Sequence, residues 1–307
     1  MLLRMVDDDV LDRAAGCLVG LAVGDALGAP YEFGIPGPAE PEMRGGGIGP
    51  WEPGEWTDDT QQAICVAQGR AEPVGVAARL LAWYRAQPKD VGVQTRAVLR
   101  SAASGEDLAE IAASLYDARP DRSAGNGSLM RTAPVALAHL GDDRALASHA
   151  RAISALTHAD PLCTEACVVW TVAIDRAIRE QRLDGVHNAL HLVVPQWQAQ
   201  WVAVVDQVYR MEPADFVPNG FVVTALQAAY AAIVHTPAWG PDHFRRAILN
   251  AIRIGHDTDT VGAIAGALLG ARWGLAAIPP EWRARVHGWP GLDAGGLAQL
   301  ARALVNG

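Results

Sequence analysis

Apolar residues recur along most of the chain at the three- and four-residue spacing of one helix face, and no run alternates with a strand's two-residue period for long. Glycine and proline punctuate these stretches rather than interrupting a sheet. The pattern predicts helices at residues 7–27, 58–70, 74–86, 91–103, 106–116, 128–139, 142–156, 160–181, 184–193, 197–210, 220–235, 241–253, 258–273, 280–287 and 293–305. Because no repeat or low-complexity linker separates them, they predict one all-α domain over residues 1–307.

Glycine occurs at every fourth position of the first predicted helix, at Gly16, Gly20 and Gly24. Residues four apart lie on the same helix face, so the three glycines form a stripe that carries no side chains. The same spacing brings helices together in membranes. In a soluble helix it predicts that another backbone packs closely against this face.

Two segments are too rich in helix-breaking residues to be helical and are predicted to be loops. Residues 34–56 are dominated by glycine, proline and tryptophan, and residues 117–127 lead into the helix predicted at 128–139. Long loops within a compact domain usually have a function. We therefore expect residues 34–56 to act as a lid over a site.

The amino-acid composition is consistent with a helical protein and argues against one class of binding partner, nucleic acids. Half of the 307 residues are hydrophobic but only 6% are aromatic, so small apolar side chains supply much of the core, as in closely packed helices. The formal net charge is −9 and the arginines are scattered, so no nucleic-acid-binding surface is expected. An acidic chain can still bind an anionic ligand where metals or helix N-termini supply local positive potential.

The cysteines and the terminal sequence bear on location. Cys17, Cys65, Cys163 and Cys167 lie in apolar helical stretches without a CxxC pair, which predicts buried thiols in a reducing compartment. Residues 1–9 lack the pattern of a signal peptide, and no segment approaches ~20 uninterrupted apolar residues. We expect a cytoplasmic monomer without a membrane span.

Two acidic clusters stand where loops lead into helices. The first is Trp56-Thr57-Asp58-Asp59-Thr60, and the second is His256-Asp257-Thr258-Asp259-Thr260. Helix capping would account for one acidic residue in each, since a carboxylate near a helix start satisfies free amides. Two neighbouring carboxylates repel each other unless a proton or a cation is present.

Both clusters together favour a shared metal site over two separate helix caps. Their donors are carboxylates and hydroxyls, without cysteine or paired histidine, which indicates a hard cation such as Mg²⁺ or Mn²⁺ rather than zinc. Two such ions about 3.5–4 Å apart are a known arrangement for activating water and orienting a substrate.

A third motif, Gly125-Asn126-Gly127-Ser128-Leu129-Met130-Arg131, is expected to open a helix. Glycines allow a backbone to approach a ligand, and amides at a helix start can face an anion. An ordinary turn would explain the motif equally well. It is not a P-loop, because the lysine of that motif is missing, and no strand precedes it as a Rossmann fold requires.

These segments, together with Gly24–Glu32 and Thr157-His158, resemble the ADP-ribosylglycohydrolase family, which includes the dinitrogenase reductase-activating glycohydrolases. The resemblance rests on GDALGAPYE, GEWTDDTQ, GNGSLMR and GHDTDTVGAIAGALLGARWG and runs from Gly16 to Gly274. It implies a single orthogonal multi-helix domain with a dinuclear Mg²⁺ or Mn²⁺ site in a central cleft. Residues 34–56 and 184–220 match nothing specific.

The resemblance also assigns roles to individual residues. It implies two metal-ligand groups, Thr57, Asp58 and Asp59, and Asp257, Asp259 and Thr260. It places Glu32 near the metals as a general acid or base, so that Glu32, Asp58 and Asp259 are predicted to be catalytic. It further implies a diphosphate-binding loop at Ser123, Ala124, Gly125, Asn126 and Gly127, with His158 in the pocket.

The predicted activity is therefore a metal-dependent hydrolysis that releases ADP-ribose from an acceptor. Cleavage at the anomeric carbon develops positive charge on the ribose, so the enzyme must orient the sugar and supply a water molecule. Expected substrates are an ADP-ribosylated protein or a small ADP-ribose conjugate, with nucleic acid only as a modified substrate. Alternatives left open are a non-catalytic ADP-ribose-binding or structural relative, a two-metal phosphoesterase, and a scaffold merely stabilised by Mg²⁺.

Overall fold

Helices form nearly all of the regular structure in the computed structural model, which describes residues 7–237 and 240–307. In chain order they are α1 (Asp8–Gly28), α2 (Asp58–Gln68), α3 (Pro73–Arg85), α4 (Val93–Ser101), α5 (Leu108–Ala118), α6 (Ala133–Ala138), α7 (Asp143–Ala155), α8 (Pro161–Glu180), α9 (Gly185–Ala189), α10 (Pro195–Val208), α11 (Val222–Val234), α12 (Asp242–Arg253), α13 (Thr258–Trp273), α14 (Pro280–Arg283) and α15 (Ala294–Asn306). The all-α prediction is confirmed.

Several helices are shorter than the sequence pattern predicted, and two of them show why. The helix expected at 128–139 begins only at Ala133, because Pro134 suits a first helical turn but would break a helix interior. The helix expected at 280–287 ends at Arg283. It is followed by a two-stranded antiparallel sheet, β1 (His287–Gly288) and β2 (Leu292–Asp293), whose turn contains Pro290 and Gly291.

Helices α1 and α13 pack against each other backbone to backbone. A Cβ atom added to Gly16 would lie 2.5 Å from the carbonyl oxygen of Gly270, well inside contact distance. Gly20 and Gly24 meet Gly266 and Gly262 in the same way. The predicted stripe on α1 therefore faces a second glycine stripe, and any side chain on either would separate the helices.

The antiparallel direction of this pair positions the acidic residues. The C-terminal end of α1, which carries Asp25, lies beside the N-terminal end of α13, where Gly28 contacts the backbone of Thr258. The hydroxyl of Thr258 donates a hydrogen bond of 2.8 Å to the carbonyl of Gly28. Close packing of the glycines thus brings residues from both ends of the chain to one place.

The core around this pair consists mainly of small and branched apolar side chains, with all four cysteines buried as free thiols. Burial raises the pKa of Cys65 to about 12, so this thiol stays protonated at neutral pH. Among the described residues, no helix combines the length and the apolar character that a membrane span needs.

Candidate metal centre and substrate cleft

Carboxylates from three separate segments meet in one cleft of about 600 Å³. Its walls include Glu32, which follows α1, Asp58 and Asp59 at the start of α2, and Asp257, Asp259 and Thr260 at the start of α13. Residues of the 125–127 loop and His158 close another side. The two acidic clusters that are far apart in the sequence therefore share one site.

Neither helix start uses its first residue as an ordinary cap. Thr57 and Asp257 are the N-cap residues of α2 and α13, and neither side chain bonds a free amide of its own helix. Capping alone therefore does not explain these residues. Their side chains are directed to other groups of the cleft.

Asp25 lies beneath the cleft and accepts hydrogen bonds from two threonines of the first acidic cluster. It is fully buried, and one of its carboxylate oxygens accepts hydrogen bonds from the amide and hydroxyl of Thr57, both at 2.9 Å. The other oxygen accepts from the amide of Thr60 at 3.0 Å and from its hydroxyl at 2.6 Å. Asp25 therefore fixes the start of α2 relative to α1 without lining the cleft itself.

The hydroxyl of Thr57 lies near more carboxylate acceptors than it can donate hydrogen bonds to. Its oxygen lies 2.9 Å from Asp25, 3.1 Å from Asp59 and 3.5 Å from Asp259, yet a hydroxyl donates only one proton. In addition, Oδ1 of Asp59 is buried and has no hydrogen-bond partner. A buried carboxylate oxygen without a partner is costly, and a cation would satisfy it and the oxygens around it.

The second acidic group is held by two buried asparagines. Asn126 donates from Nδ2 to Asp257 at 2.9 Å and to the backbone carbonyl of Asn219 at 2.9 Å. The side chain of Asn219 donates to the Gly255 carbonyl at 3.1 Å and accepts from the Asp257 amide at 2.9 Å. Asn219 thereby joins the 125–127 loop to the start of α13.

Glu32 is tied to the same segment through the backbone. Phe33 donates from its amide to the carbonyl of His256 at 2.6 Å, and His256 donates back to Gly34 at 2.8 Å. This short antiparallel bridge holds Glu32 beside Asp257 and Asp259. One oxygen from each of these three carboxylates lies within 4.8 Å of the others.

A second group of three carboxylates has similar spacing. Oxygens of Asp25, Asp59 and Asp259 also lie within 4.8 Å of one another, so Asp259 belongs to both groups. Donors in both groups are oxygens only, the ligands that Mg²⁺ and Mn²⁺ prefer. The donor set of this cleft therefore fits a hard cation, and Asp259 lies where the two groups meet.

The electrostatics of the cleft favour the same conclusion. Burial, with the charges of Asp257, Asp90, Asp58 and Asp25, raises the pKa of Glu32 to about 8. Burial, with neighbouring carboxylates, raises the pKa of Asp58 to about 8 and the pKa values of Asp59 and Asp259 well above the ordinary range. Without a cation, these groups can avoid mutual repulsion only by holding protons.

A chain of buried polar groups connects Asp58 to His158. Gln62 donates to Asp58 at 2.7 Å and accepts from Arg131 at 2.6 Å, and Arg131 donates to Thr157 at 2.7 Å. The Thr157 hydroxyl lies 2.7 Å from Nδ1 of His158. Burial and the charge of Arg131 lower the pKa of His158 to about 3, so this histidine is neutral at physiological pH.

The predicted ligand loop lies over this histidine. A Cβ atom on Gly127 would meet the His158 ring at 3.0 Å, which explains the need for glycine there. The loop does not open a helix as expected: Leu129 and Met130 turn back onto the Asn126 carbonyl, and α6 starts later. No helix N-terminus is therefore available here for an anion.

The five predicted loop residues do not all reach the cleft. Gly125, Asn126 and Gly127 line it, as does His158. Ser123 is buried and donates from its hydroxyl to the Arg119 carbonyl at 2.7 Å, and the backbone carbonyl of Ala124 accepts from Val222 at 2.9 Å. Ser123 and Ala124 therefore hold the loop in place on the side that faces away from the cleft. Thr57, predicted as a ligand, likewise lies beneath the cleft wall.

Sequence reasoning missed several residues of the site. Asp25 lies in the Gly24–Glu32 segment but received no role from the sequence, and Asn219 lies in the 184–220 region, which matched nothing specific. Two arginines, Arg96 and Arg122, also line the cleft. The apolar side chains of Phe33 and Ile48 line it as well. Of the predicted 34–56 lid, only Ile48 is among these lining residues. These residues come from separate segments of the chain, and no sequence motif marks them as part of one site.

Comparisons with known proteins agree with this arrangement. A family model described as ADP-ribosylglycohydrolase matches residues 6–307. The chain is 31% identical over 301 residues to ADP-ribosylarginine hydrolase Tri1 of Pseudomonas putida, covering 92% of this chain and 76% of that one. It is 29% identical over 294 residues to ADP-ribosyl-[dinitrogen reductase] glycohydrolase of Rhodospirillum rubrum, covering 92% of each.

A solved structure shows the same fold. The structure called an ADP-ribosylglycohydrolase-related protein complex superposes with a TM-score of 0.76 at 32% sequence identity, covering 97% of this chain and 99% of that chain. The similarity therefore extends over the whole arrangement of helices that positions the cleft.

Proposed function

The chain belongs to the ADP-ribosylglycohydrolase family, and on that premise we propose that it hydrolyses the bond between ADP-ribose and an arginine side chain of a protein. The cleft would hold two Mg²⁺ or Mn²⁺ ions for this reaction. The observation that carries the proposal is the meeting of three carboxylate segments in one cleft, with a buried oxygen of Asp59 left without a partner.

The metal-holding residues are the six named from the sequence. Asp58, Asp59, Asp257 and Asp259 would supply charged oxygens, and Thr57 and Thr260 would supply hydroxyl oxygens. Because Thr57 gives its proton to Asp25 at 2.9 Å, its lone pairs remain free for a cation. When bound, the ions would orient the ribose hydroxyls and lower the pKa of a water molecule.

Glu32 would take the proton from the attacking water. Its carboxylate lies within 4.8 Å of Asp257 and Asp259, directly after the short 3₁₀ helix Ala29–Tyr31 that follows α1. That position is next to the proposed ions without being buried beneath them. A carboxylate at this distance is suited to general base catalysis, and in reverse to protonating the departing group.

The 125–127 loop and the cleft arginines would bind the diphosphate. Glycine backbone at Gly125 and Gly127 allows a ligand to approach closely, and His158 below them is neutral, so it adds no charge. Arg96 and Arg122 supply positive charge at the cleft edge, where their long side chains are largely exposed. Their guanidinium groups match the geometry of phosphate oxygens.

Arginine as the acceptor is supported by two observations. The related Tri1 proteins of Pseudomonas putida and Serratia proteamaculans are named ADP-ribosylarginine hydrolases. The cleft also contains Asp90, a carboxylate outside both proposed ligand groups that lies 3.9 Å from Arg96 and would pair with the guanidinium of the substrate once Arg96 binds the diphosphate. Because all six proposed ligands are present, a non-catalytic role is disfavoured.

The test is a panel of ADP-ribosylated peptides linked through arginine or serine, assayed for free ADP-ribose. We expect release from the arginine-linked peptide, its loss with EDTA, and recovery with Mg²⁺ or Mn²⁺. Asp259→Asn should lower kcat/KM by on the order of 10²-fold or more, because it removes the ligand common to both ions. The matched control is Asp117→Asn, an exposed aspartate on α5.

Different results separate the parts of the proposal. Release from the serine-linked peptide alone would overturn the arginine assignment but keep the enzyme class. Full activity in EDTA, or in Asp259→Asn, would overturn the metal-dependent mechanism.

A further inference from the structure

A second group of potential metal ligands lies outside the cleft. Glu72 is the N-cap of α3, His139 is the C-cap of α6, and His149 lies within α7. One ligand atom from each lies within 4.8 Å of the others. None of the three lines the catalytic cleft.

The hydrogen bonding of His149 fixes which of its nitrogens is free. Nδ1 lies 2.9 Å from the carbonyl oxygen of Ala145, which only a protonated nitrogen can satisfy. In the neutral ring, Nε2 then carries a lone pair, and it lies 3.6 Å from a carboxylate oxygen of Glu72. A lone pair facing a carboxylate is repulsive unless a proton or a cation lies between them.

His139, the third member of the group, has an unsatisfied ring nitrogen. Its Nε2 is buried and has no hydrogen-bond partner. The ring stacks on His149 with centroids 4.1 Å apart, and burial and the neighbouring histidine lower its pKa. Protonation of His149 alone would form an ion pair with Glu72 but leave Nε2 of His139 unsatisfied.

We propose that Glu72, His139 and His149 form a second metal site, for Zn²⁺, separate from the catalytic cleft. Two imidazole nitrogens and one carboxylate are ligands that zinc accepts and that Mg²⁺ does not prefer. Zinc–ligand distances near 2.1 Å correspond to ligand separations of about 3.4 Å in a tetrahedron. Because the two imidazole rings are stacked and His149 is fixed through Nδ1, the His139 ring must turn out of the stack for both rings to bind one ion. Glu72, whose side chain is 61% exposed, would rotate to complete the site, with water in the fourth position.

The site would stabilise the part of the fold that supports the ligand loop. It would join the start of α3, the end of α6 and the middle of α7. Ser154, further along α7, bonds the hydroxyl of Ser128 at 2.8 Å and the carbonyl of His158 at 3.2 Å. Zinc is therefore expected to raise the melting temperature without being needed for the chemical step.

The experiment is a Zn²⁺ titration by calorimetry of untagged, EDTA-stripped protein in excess Mg²⁺, which on the proposed function would occupy the cleft. We expect one saturable zinc equivalent and a rise in Tm of at least about 2 °C. Glu72→Gln and His149→Asn should each weaken zinc binding at least about tenfold. Glu72→Gln changes an exposed side chain, so it tests the site even if the histidine variant folds poorly.

Two control variants locate the zinc. His191→Asn, at an exposed histidine outside the group, should leave binding unchanged. Asp259→Asn, in the cleft, should retain the zinc equivalent as well. The proposal is overturned if no saturable equivalent is found, if it disappears in Asp259→Asn, or if Glu72→Gln and His149→Asn bind as tightly as the wild type.

Discussion

Removing divalent ions should make the folded protein less stable as pH rises from about 6.5 to 8. In this range the carboxylates of the unfolded chain are all ionised, since their ordinary pKa values are about 4. In the folded, metal-free protein, burial and like charges raise the pKa values of Glu32 and Asp58 to about 8. The folded state therefore holds protons that the unfolded state has lost.

The sign and size follow from proton linkage. Where the folded state binds more protons than the unfolded state, the free energy of unfolding falls with pH, by about 1.4 kcal/mol per pH unit for each proton retained. Because Glu32 and Asp58 interact, we count one shared proton rather than two. The free energy of unfolding should then fall by about 2 kcal/mol between pH 6.5 and 8.

Other buried groups add their own pH dependence in this window. The pKa values of His139, His158 and His243 are lowered, chiefly by burial, so the protons that these residues lose in the unfolded chain raise the free energy of unfolding by up to about 1 kcal/mol in total between pH 6.5 and 8, mostly below pH 7.5. Buried thiols such as Cys65 have raised pKa values and add a slope only above about pH 8, where unfolded thiols ionise. These contributions are the same with and without metal, so the difference between the two samples isolates the cleft carboxylates.

The assay is urea unfolding at several pH values, in EDTA and in excess Mg²⁺ or Mn²⁺. With metal, the carboxylates bind cations instead of protons, so the decline should disappear and stability at pH 8 should rise above that of the EDTA sample. Asp58→Asn should reduce the decline in EDTA. A metal-free protein whose stability, relative to that of the metal-loaded protein, did not fall from pH 6.5 to 8 would refute the electrostatic argument for the site.

Other residues lead to three further predictions. Gly20→Ala should destabilise the protein by about 2 kcal/mol or more in urea unfolding, because its Cβ would strike a backbone carbonyl of α13, whereas Gly295→Ala, at an exposed helical position, should be neutral or slightly stabilising. Asn219→Ala should cost about 2–4 kcal/mol and weaken Mn²⁺ binding, since it leaves two buried backbone groups unpaired; unchanged Mn²⁺ affinity would contradict its positioning role. Arg122→Gln should raise KM for the ADP-ribosylated peptide about fivefold with little change in kcat, and the exposed control Arg119→Gln should not.

Much of the fold was predictable because helices are encoded locally. The period of apolar residues located most of the helices within a few positions, and the α1 glycine stripe indicated close packing with a partner of unknown identity. The pairs of acidic residues at two helix starts indicated a metal site, since capping could not account for both members of a pair. Each inference used neighbours within a few residues of one another.

The tertiary structure decided which segments meet. It paired the α1 glycines with those of α13, and the antiparallel direction of that pair brought Thr57 within 3.5 Å of Asp259, a residue 202 positions away. It also recruited Asn219 from a segment without any motif and showed that the Gly125–Gly127 loop does not begin a helix. Contacts of this kind depend on how helices pack in three dimensions, which the local spacing of apolar and polar residues does not encode.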